Sequence, residues 1–141
     1  MSTLTLDQSL SIIHFALECA HTNDFNPMSL VIVDRAGQII ASVREDAASQ
    51  LRMDIATGKA CAAIGMGANT RILAEKAAKM PAFFNAIASQ SQQPFVPQTG
   101  GVLIKNADKE VIGAIGASGG TGDQDEEILL FGIQAASLFA Q

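Results

Sequence analysis

The sequence has no tryptophan and no tyrosine, and it has only two cysteines and four prolines among 141 residues. Basic residues are also scarce, because nine Lys and Arg stand against 14 Asp and Glu, for a formal net charge of −5. Binding to a phosphate backbone needs a stripe of basic side chains that displaces counterions. The charge balance therefore argues against nucleic acid as a partner.

Signals for membrane insertion and secretion are lacking as well. The longest uncharged run, Met80 to Ile104, contains three prolines and a polar serine–glutamine stretch, which hydrocarbon would not tolerate. The N-terminus shows no basic region followed by an apolar run. Cys19 and Cys61 fall on separate predicted helices, and we expect free thiols rather than a disulfide. We therefore expect a cytoplasmic protein with no membrane contact.

Apolar residues make up 48% of the chain, enough for one full core in a single domain over residues 1–141. The apolar residues beyond those that one core needs predict an interface with another subunit as well. Small residues at helical spacing (Ala56, Ala60, Ala63 and Gly67) would allow close helix contact. We expect a homo-oligomer.

The hydrophobic pattern predicts helices and hairpins in the order α-ββ-ααα-(β)ββ-α. Leu6, Leu10, Ile13 and Leu17 recur at helical spacing, and a C-terminal helix begins in the acidic run after residue 122. Two strand-like pairs, 30–33 with 39–43 and 102–104 with 111–115, flank short turns, the first with Gly37 in the left-handed position. Hairpins imply antiparallel pairing, so the predicted fold is an α+β sandwich with helices covering about five strands.

A glycine-rich segment leads from the last strand into the last helix over residues 113–125. Its exposed backbone N–H groups, notably at Ser118, Gly119 and Gly120, could line a site for an anion or a carboxylate. The alternative is a tight corner with close backbone packing, and the sequence does not decide between the two. No Gly-Lys-Ser/Thr follows, so the spacing fails the P-loop fingerprint.

Lys59 is the one charge in an apolar helical run from Ile55 to Met66. Such a lysine either extends to water along its methylene stem or meets a buried anion. Its counter-charge would then be Asp34, Asp46 or Asp125. With a lowered pKa it could serve as a general base or anchor a carboxylate.

Other reactive side chains carry weaker signals. Arg44, after a predicted strand, could bind a carboxylate through two hydrogen bonds, or it could pair with Asp46 or Asp125 to hold the corner. Cys61 lies among alanines and reads as an inert core thiol. Ser118 lacks both the G-x-S-x-G frame and a histidine base, so a hydrogen bond to ligand or backbone is preferred to a nucleophilic role.

Several of these segments together resemble the GlcG/HbpS-like family, which includes the C-terminal domain of PduO-type proteins. The matching pieces are Val33–Gly37 for V-D-x-x-G, Arg44–Asp46 for R-x-D, Thr57–Ala60 for the K-A helix, Gly100–Val102 for a glycine pair before a strand, and Gly113–Asp125 for G-x-x-G-x-S-G-G…Q-D. They occur in the family's order over nearly the whole chain. The resemblance implies a profilin-like fold, homo-oligomers and small-ligand binding, with haem or another tetrapyrrole in some members.

Haem would need an iron ligand, and this chain offers only two histidines and no tyrosine. His14 and His21 fall on one polar stripe of the first helix, which reads as a solvated face, with iron binding as the alternative. No cluster has zinc spacing.

Two functions follow from the sequence. The first is a homo-oligomeric protein that binds an anionic or tetrapyrrole ligand in a pocket formed by Arg44, Lys59 and the Ser118–Gly120 loop. The alternative is a catabolic enzyme acting on a small carboxylate, such as a deaminase, tautomerase or hydrolase, with Lys59 or Asp125 as acid or base.

Overall fold

The structure, a computed structural model, describes residues 3–140. Its helices are α1 (Leu6–Thr22), α2 (Gln50–Met66), α3 (Thr70–Lys79), α4 (Pro81–Gln90) and α5 (Gly122–Ala135). Its strands are β1 (Ser29–Asp34), β2 (Ile39–Arg44), β3 (Gly101–Lys105) and β4 (Val111–Ser118). No helix in this part of the chain has the length and apolar content needed to cross a bilayer.

The strands form one antiparallel sheet in the order β2-β1-β4-β3. Two hairpins are joined through the central β1–β4 pair, and the predicted α+β class is confirmed. The sheet has four strands, close to the five or so expected. The segment before β3 has no regular secondary structure and crosses over α2. Val96 N–H donates to Gly58 O at 3.1 Å there. Pro94 and Pro97 on either side have no N–H to continue a ladder.

Both hairpin turns are held by a side chain at the end of the first strand. In the first turn, Asp34 Oδ1 accepts the backbone N–H groups of Ala36 and Gln38 at 2.9 and 3.0 Å. Gly37 has φ +79°, the left-handed conformation expected from the sequence. Asn106 repeats this arrangement in the second hairpin, where its Oδ1 accepts two backbone N–H groups.

The two faces of the sheet are covered by different helices. On β1, Leu30 and Ile32 pack with α1 and α5, whereas Val31 and Val33 pack with α2. All four side chains are fully buried. A strand buried on both faces reads as a continuous apolar run, as this one does. Helices α3 and α4 lie at the side of α2 and add a small cluster around Leu73 and Phe84.

Helix α2 approaches β4 unusually closely. A Cβ built on Gly116 would lie 2.1 Å from the carbonyl oxygen of Ala56 and 2.8 Å from the backbone nitrogen of Ala60. Only glycine on the strand and small residues on the helix permit that distance. The contact brings the next turn of α2, with Lys59, down to the end of β4.

Candidate functional site

Lys59 is buried, with only 5% of its surface exposed, and it does not extend to water. Its ammonium Nζ donates to the backbone carbonyl of Ala117 at 3.0 Å and to Asp125 Oδ2 at 3.0 Å. Of the counter-charges considered from the sequence, the structure brings Asp125 to the lysine. Gly100 leaves room for this arrangement, because a Cβ there would lie 2.7 Å from Nζ.

Asp125 is held from the other side by the glycine-rich loop. Thr121 caps α5 through a capping box with Gln124, which places Asp125 in the first turn of that helix. Asp125 Oδ1 accepts the Gly120 N–H at 2.9 Å, and the residue is 2% exposed. Burial raises the pKa of the Asp125 carboxyl, opposed by Lys59, by the Gly120 hydrogen bond and by the charge of Arg52.

A hollow of about 380 Å³ opens beside this pair. We call it the lysine hollow. Its lining residues are Arg52, Ile55, Lys59, Val96, Gln98, Thr99, Ser118, Gly120, Gly122 and Asp125. The volume lies in the lower part of the range of small-molecule sites, roughly 300–1,000 Å³.

Arg52 is a member of this site that the sequence reasoning missed. It is half-buried, and its Nη1 donates to Ser118 Oγ at 3.3 Å. Within residues 3–140, no carboxylate oxygen lies within 4.0 Å of its guanidinium. Its spacing in the sequence could have revealed it. Arg52 precedes Lys59 by seven residues, or two helical turns, which places both on one face of the helix.

The Ser118–Gly120 loop contributes only part of what was expected. Ser118 and Gly120 line the lysine hollow, but Gly119 packs against the chain instead, since a Cβ there would lie 2.3 Å from Pro27 O. Ser118 Oγ accepts a hydrogen bond from Arg52, and no histidine lines the hollow. The observed partner of the hydroxyl is thus a side chain rather than the backbone, and a hydrogen bond from Ser118 to a ligand stays a prediction.

Ser29 lies next to Ser118 across the β1–β4 pair. Its hydroxyl is fully buried and has no hydrogen-bond partner in the described chain. Because Val31 packs against α2, Ser29 two residues earlier points to the same face. An unpaired hydroxyl therefore lies beneath α2 close to the lysine hollow.

Arg44 does not join Lys59, and the prediction of one pocket for both is wrong in this respect. Ser29 on β1 pairs with Arg44 on one side and with Ser118 on the other, so β1 separates Arg44 from Ser118. Two strand spacings put the Cα atoms of Arg44 and Ser118 about 10 Å apart. Arg44 Nη1 donates instead to the backbone carbonyl of Ala48 at 3.2 Å.

Arg44 lines a separate hollow of about 540 Å³, which we call the histidine hollow. The other lining residues are His21, Phe25, Pro27, Glu45 and Asp46. His21 Nε2 contacts Glu45 Oε2, and Glu45 Oε1 accepts the Met28 N–H at 2.9 Å. Glu45, which the sequence reasoning did not single out, thus links the end of α1 to the start of β1.

His14 lies elsewhere on α1 and pairs with Glu18 at 2.9 Å across one helical turn. The imidazole side chains of His14 and His21 are 65% and 66% exposed, so both lie on the solvated face predicted for them. In residues 3–140, no group of three or more His, Cys, Asp and Glu side chains is placed to hold a metal ion.

A family model described as "Haem degrading protein HbpS-like" matches residues 4–134. The chain belongs to the HbpS-like family. This confirms the resemblance seen in the sequence motifs. Among curated proteins, none matches the chain.

Solved structures similar to this HbpS-like chain include haem-related proteins. PduOC in complex with haem is 26% identical to this chain, the alignment covers 99% of both chains, and the TM-score is 0.88. A double mutant of HbpS from Streptomyces reticuli is 27% identical over 95% of this chain and 87% of its own, with a TM-score of 0.80. Klebsiella pneumoniae ORFY, at 24% identity over 97% and 92% with a TM-score of 0.86, shares the fold.

The two thiols of this HbpS-like chain are free, as expected. Cys61 is buried on α2, and burial raises the pKa of its thiol. Cys19 on α1 is half-buried, and its pKa is raised by burial and by the charge of Glu127. A raised pKa keeps a thiol protonated and unreactive at neutral pH, so neither residue has the character of a nucleophile.

Proposed function

We propose that this HbpS-like protein is a cytoplasmic homo-oligomer that binds haem or a related tetrapyrrole in the histidine hollow. The observation that carries the proposal is the match, over 99% of both chains, to PduOC in complex with haem. Two free thiols agree with a reducing compartment.

The side chains of the histidine hollow have the chemistry that haem requires. His21 is an iron ligand of the right type, Phe25 and Pro27 form an apolar wall, and Arg44 offers a cation for a propionate. Arg44 has no carboxylate within 4.0 Å in residues 3–140, so its charge is free for such a partner.

Glu45 supports the choice of His21 over His14. Metal-binding histidines usually donate their second ring N–H to a carboxylate, which orients the ring. Glu45 is itself fixed by the Met28 N–H and holds His21 Nε2, which leaves Nδ1 for a metal. When bound, haem would supply a redox-active, Lewis-acidic iron. The chain's part is to orient the imidazole and to pair the propionate.

Hemin titration followed by the Soret band tests the proposal. We expect a saturable shift for the native protein, its loss in His21→Ala and its retention in His14→Ala. The second variant is a matched control, since it removes an equally exposed imidazole from the same helix. A missing Soret shift, or one that persists in both variants, would contradict haem binding at these residues.

The homo-oligomer is supported by large apolar side chains left on the surface. Leu6 and Leu10 on α1 are 54% and 48% exposed, and Phe131 on α5 is 48% exposed. Apolar side chains clustered on a surface mark interaction sites. Light scattering should therefore give a mass that is a multiple of 14.7 kDa, and a monomer at micromolar concentration would reject the assembly.

Catalysis on a small carboxylate remains a second candidate, and it concerns the lysine hollow. The observation that favours it is the buried pair of Lys59 and Asp125, an acid and a base within 3.0 Å of each other beside a cavity. Turnover that disappears in Lys59→Met while the circular dichroism spectrum is retained would select this function.

A further inference from the structure

The charged residues that line the lysine hollow carry one net positive charge. Lys59 and Asp125 form a pair whose charges cancel, and both are almost fully buried. Arg52 lines the same hollow without a carboxylate within 4.0 Å in residues 3–140. The three groups therefore sum to one net positive charge at the wall of a cavity.

We propose that the lysine hollow binds a short-chain monocarboxylate, with its carboxylate on Arg52 and Ser118 and its apolar stem against Ile55 and Val96. This site is distinct from the histidine hollow, so the inference stands whether or not haem binds. It supplies a ligand class for the lysine hollow and requires no chemical step.

The donors around Arg52 suit a carboxylate. A guanidinium has five N–H donors in a planar fork that matches the two oxygens of a carboxylate. Arg52 makes one hydrogen bond to the protein in the described chain, to Ser118 Oγ. That bond leaves most of the guanidinium donors for a ligand in the hollow that Arg52 lines. Ser118 has its own O–H to donate, because its oxygen accepts from Arg52.

The charge and size of the hollow select among anions. One net positive charge matches a monocarboxylate, whereas a phosphate dianion would bring surplus negative charge close to the Asp125 carboxylate. Ile55 and Val96 add an apolar wall, which favours a ligand with a hydrocarbon stem over an inorganic anion. A volume of about 380 Å³ admits a chain of a few carbons with room for water.

The test uses butyrate as the probe and butyramide as its uncharged counterpart of the same shape. Each is titrated into ¹⁵N-labelled full-length protein at constant ionic strength, and the amide signals of Ser118, Gly120 and Gly122 are followed. For so small a ligand we expect a dissociation constant of about 1 mM. Butyrate should shift these signals in a saturable way, and butyramide should not.

Three variants complete the test. Arg52→Gln should weaken butyrate binding at least about tenfold, because a charge-assisted hydrogen-bonded pair is lost. Arg52→Lys keeps the charge without the fork, and it should bind with intermediate affinity. Arg35→Gln, in the exposed turn after β1, removes the same charge away from the hollow and should bind as the native protein does.

Equal shifts with butyrate and butyramide would overturn the inference, and so would native affinity in Arg52→Gln. Equal weakening in Arg35→Gln would also overturn it, because net charge alone would then explain the binding. None of these results depends on hemin, so failure here and failure of haem binding are distinguishable.

Discussion

Removing the ammonium of Lys59 should make the stability of the protein depend on pH through Asp125. Burial already raises the pKa of this carboxyl, and Lys59 is the strongest influence that lowers it. In Lys59→Met the stem volume is nearly kept, while Asp125 keeps the Gly120 N–H as its hydrogen-bond donor. The pKa of Asp125 in the folded state of this variant should therefore be raised further.

The sign follows from proton linkage. Between the unfolded pKa near 4 and the raised native pKa, the folded state binds more protons than the unfolded state, so stability falls as pH rises. The slope approaches about 1.4 kcal/mol per pH unit within this range. The total should be comparable to the roughly 3–5 kcal/mol expected for breaking a buried ion pair by removing one partner.

The reference for this measurement is the double variant Lys59→Met/Asp125→Asn, which has no carboxyl at the site. Unfolding by urea should be followed by circular dichroism, since the chain has no tryptophan or tyrosine to report by fluorescence. With a denaturant slope of about 2 kcal/mol/M, the midpoint of the single variant should fall by about 2 M relative to the double over this pH range.

All other ionisable groups are common to both variants and cancel in the difference. Parallel pH profiles for the single and the double variant would refute the reasoning, because they would mean that Asp125 titrates in the folded state as it does in the unfolded chain. A difference that grows more favourable to Lys59→Met with rising pH would refute it equally.

Two further predictions compare matched substitutions by the same urea assay. Gly116→Ala should lower the unfolding free energy by at least about 2 kcal/mol, because the new methyl group meets Ala56 O, whereas Gly65→Ala, with no atom within 4 Å, should raise it by about 0.5 kcal/mol. Ser29→Ala should raise it by about 1 kcal/mol by removing an unpaired buried hydroxyl, whereas Ser9→Ala, whose hydroxyl donates to Thr5 O, should lower it by about 1 kcal/mol. A loss in Ser29→Ala or a gain in Gly116→Ala would contradict these packing arguments.

Local signals in the sequence were sufficient for much of the fold. The Asp34–Gly37 turn needs only a carboxylate that accepts nearby N–H groups and a glycine with positive φ, and both features are visible in the sequence. The segment before β3 forms no strand for a local reason as well, because Pro94 and Pro97 cannot donate to a ladder. The apolar neighbours of Lys59 marked it as unusual but left two outcomes open, extension to water or a buried anion, and the structure shows the second, with Asp125 as the anion.

Long-range placement was harder to predict. Arg44 was assigned to the wrong hollow because strand order, rather than position along the chain, decides which strand ends are adjacent. Glu45 was missed because its partner His21 lies 24 residues earlier, and no periodicity connects them. Arg52 differs from both, since its spacing from Lys59 within one helix was available from the sequence.

The two hollows lie on either side of β1 at the same end of the sheet. Arg44 and Ser118 flank Ser29, so the histidine hollow and the lysine hollow are separated by a single strand. Each hollow contains an arginine with no carboxylate oxygen within 4.0 Å in residues 3–140 and a carboxylate that other groups hold, Glu45 by the Met28 N–H and Asp125 by Lys59, and the histidine hollow also contains Asp46. Arg52 is half-buried, and a structural role would pair it internally, because an unpaired half-buried charge gains nothing for the fold. Arg44 is exposed and needs no partner for the fold, so the open donors of Arg52 are the stronger argument for a ligand that brings its own negative charge to this end of the sheet.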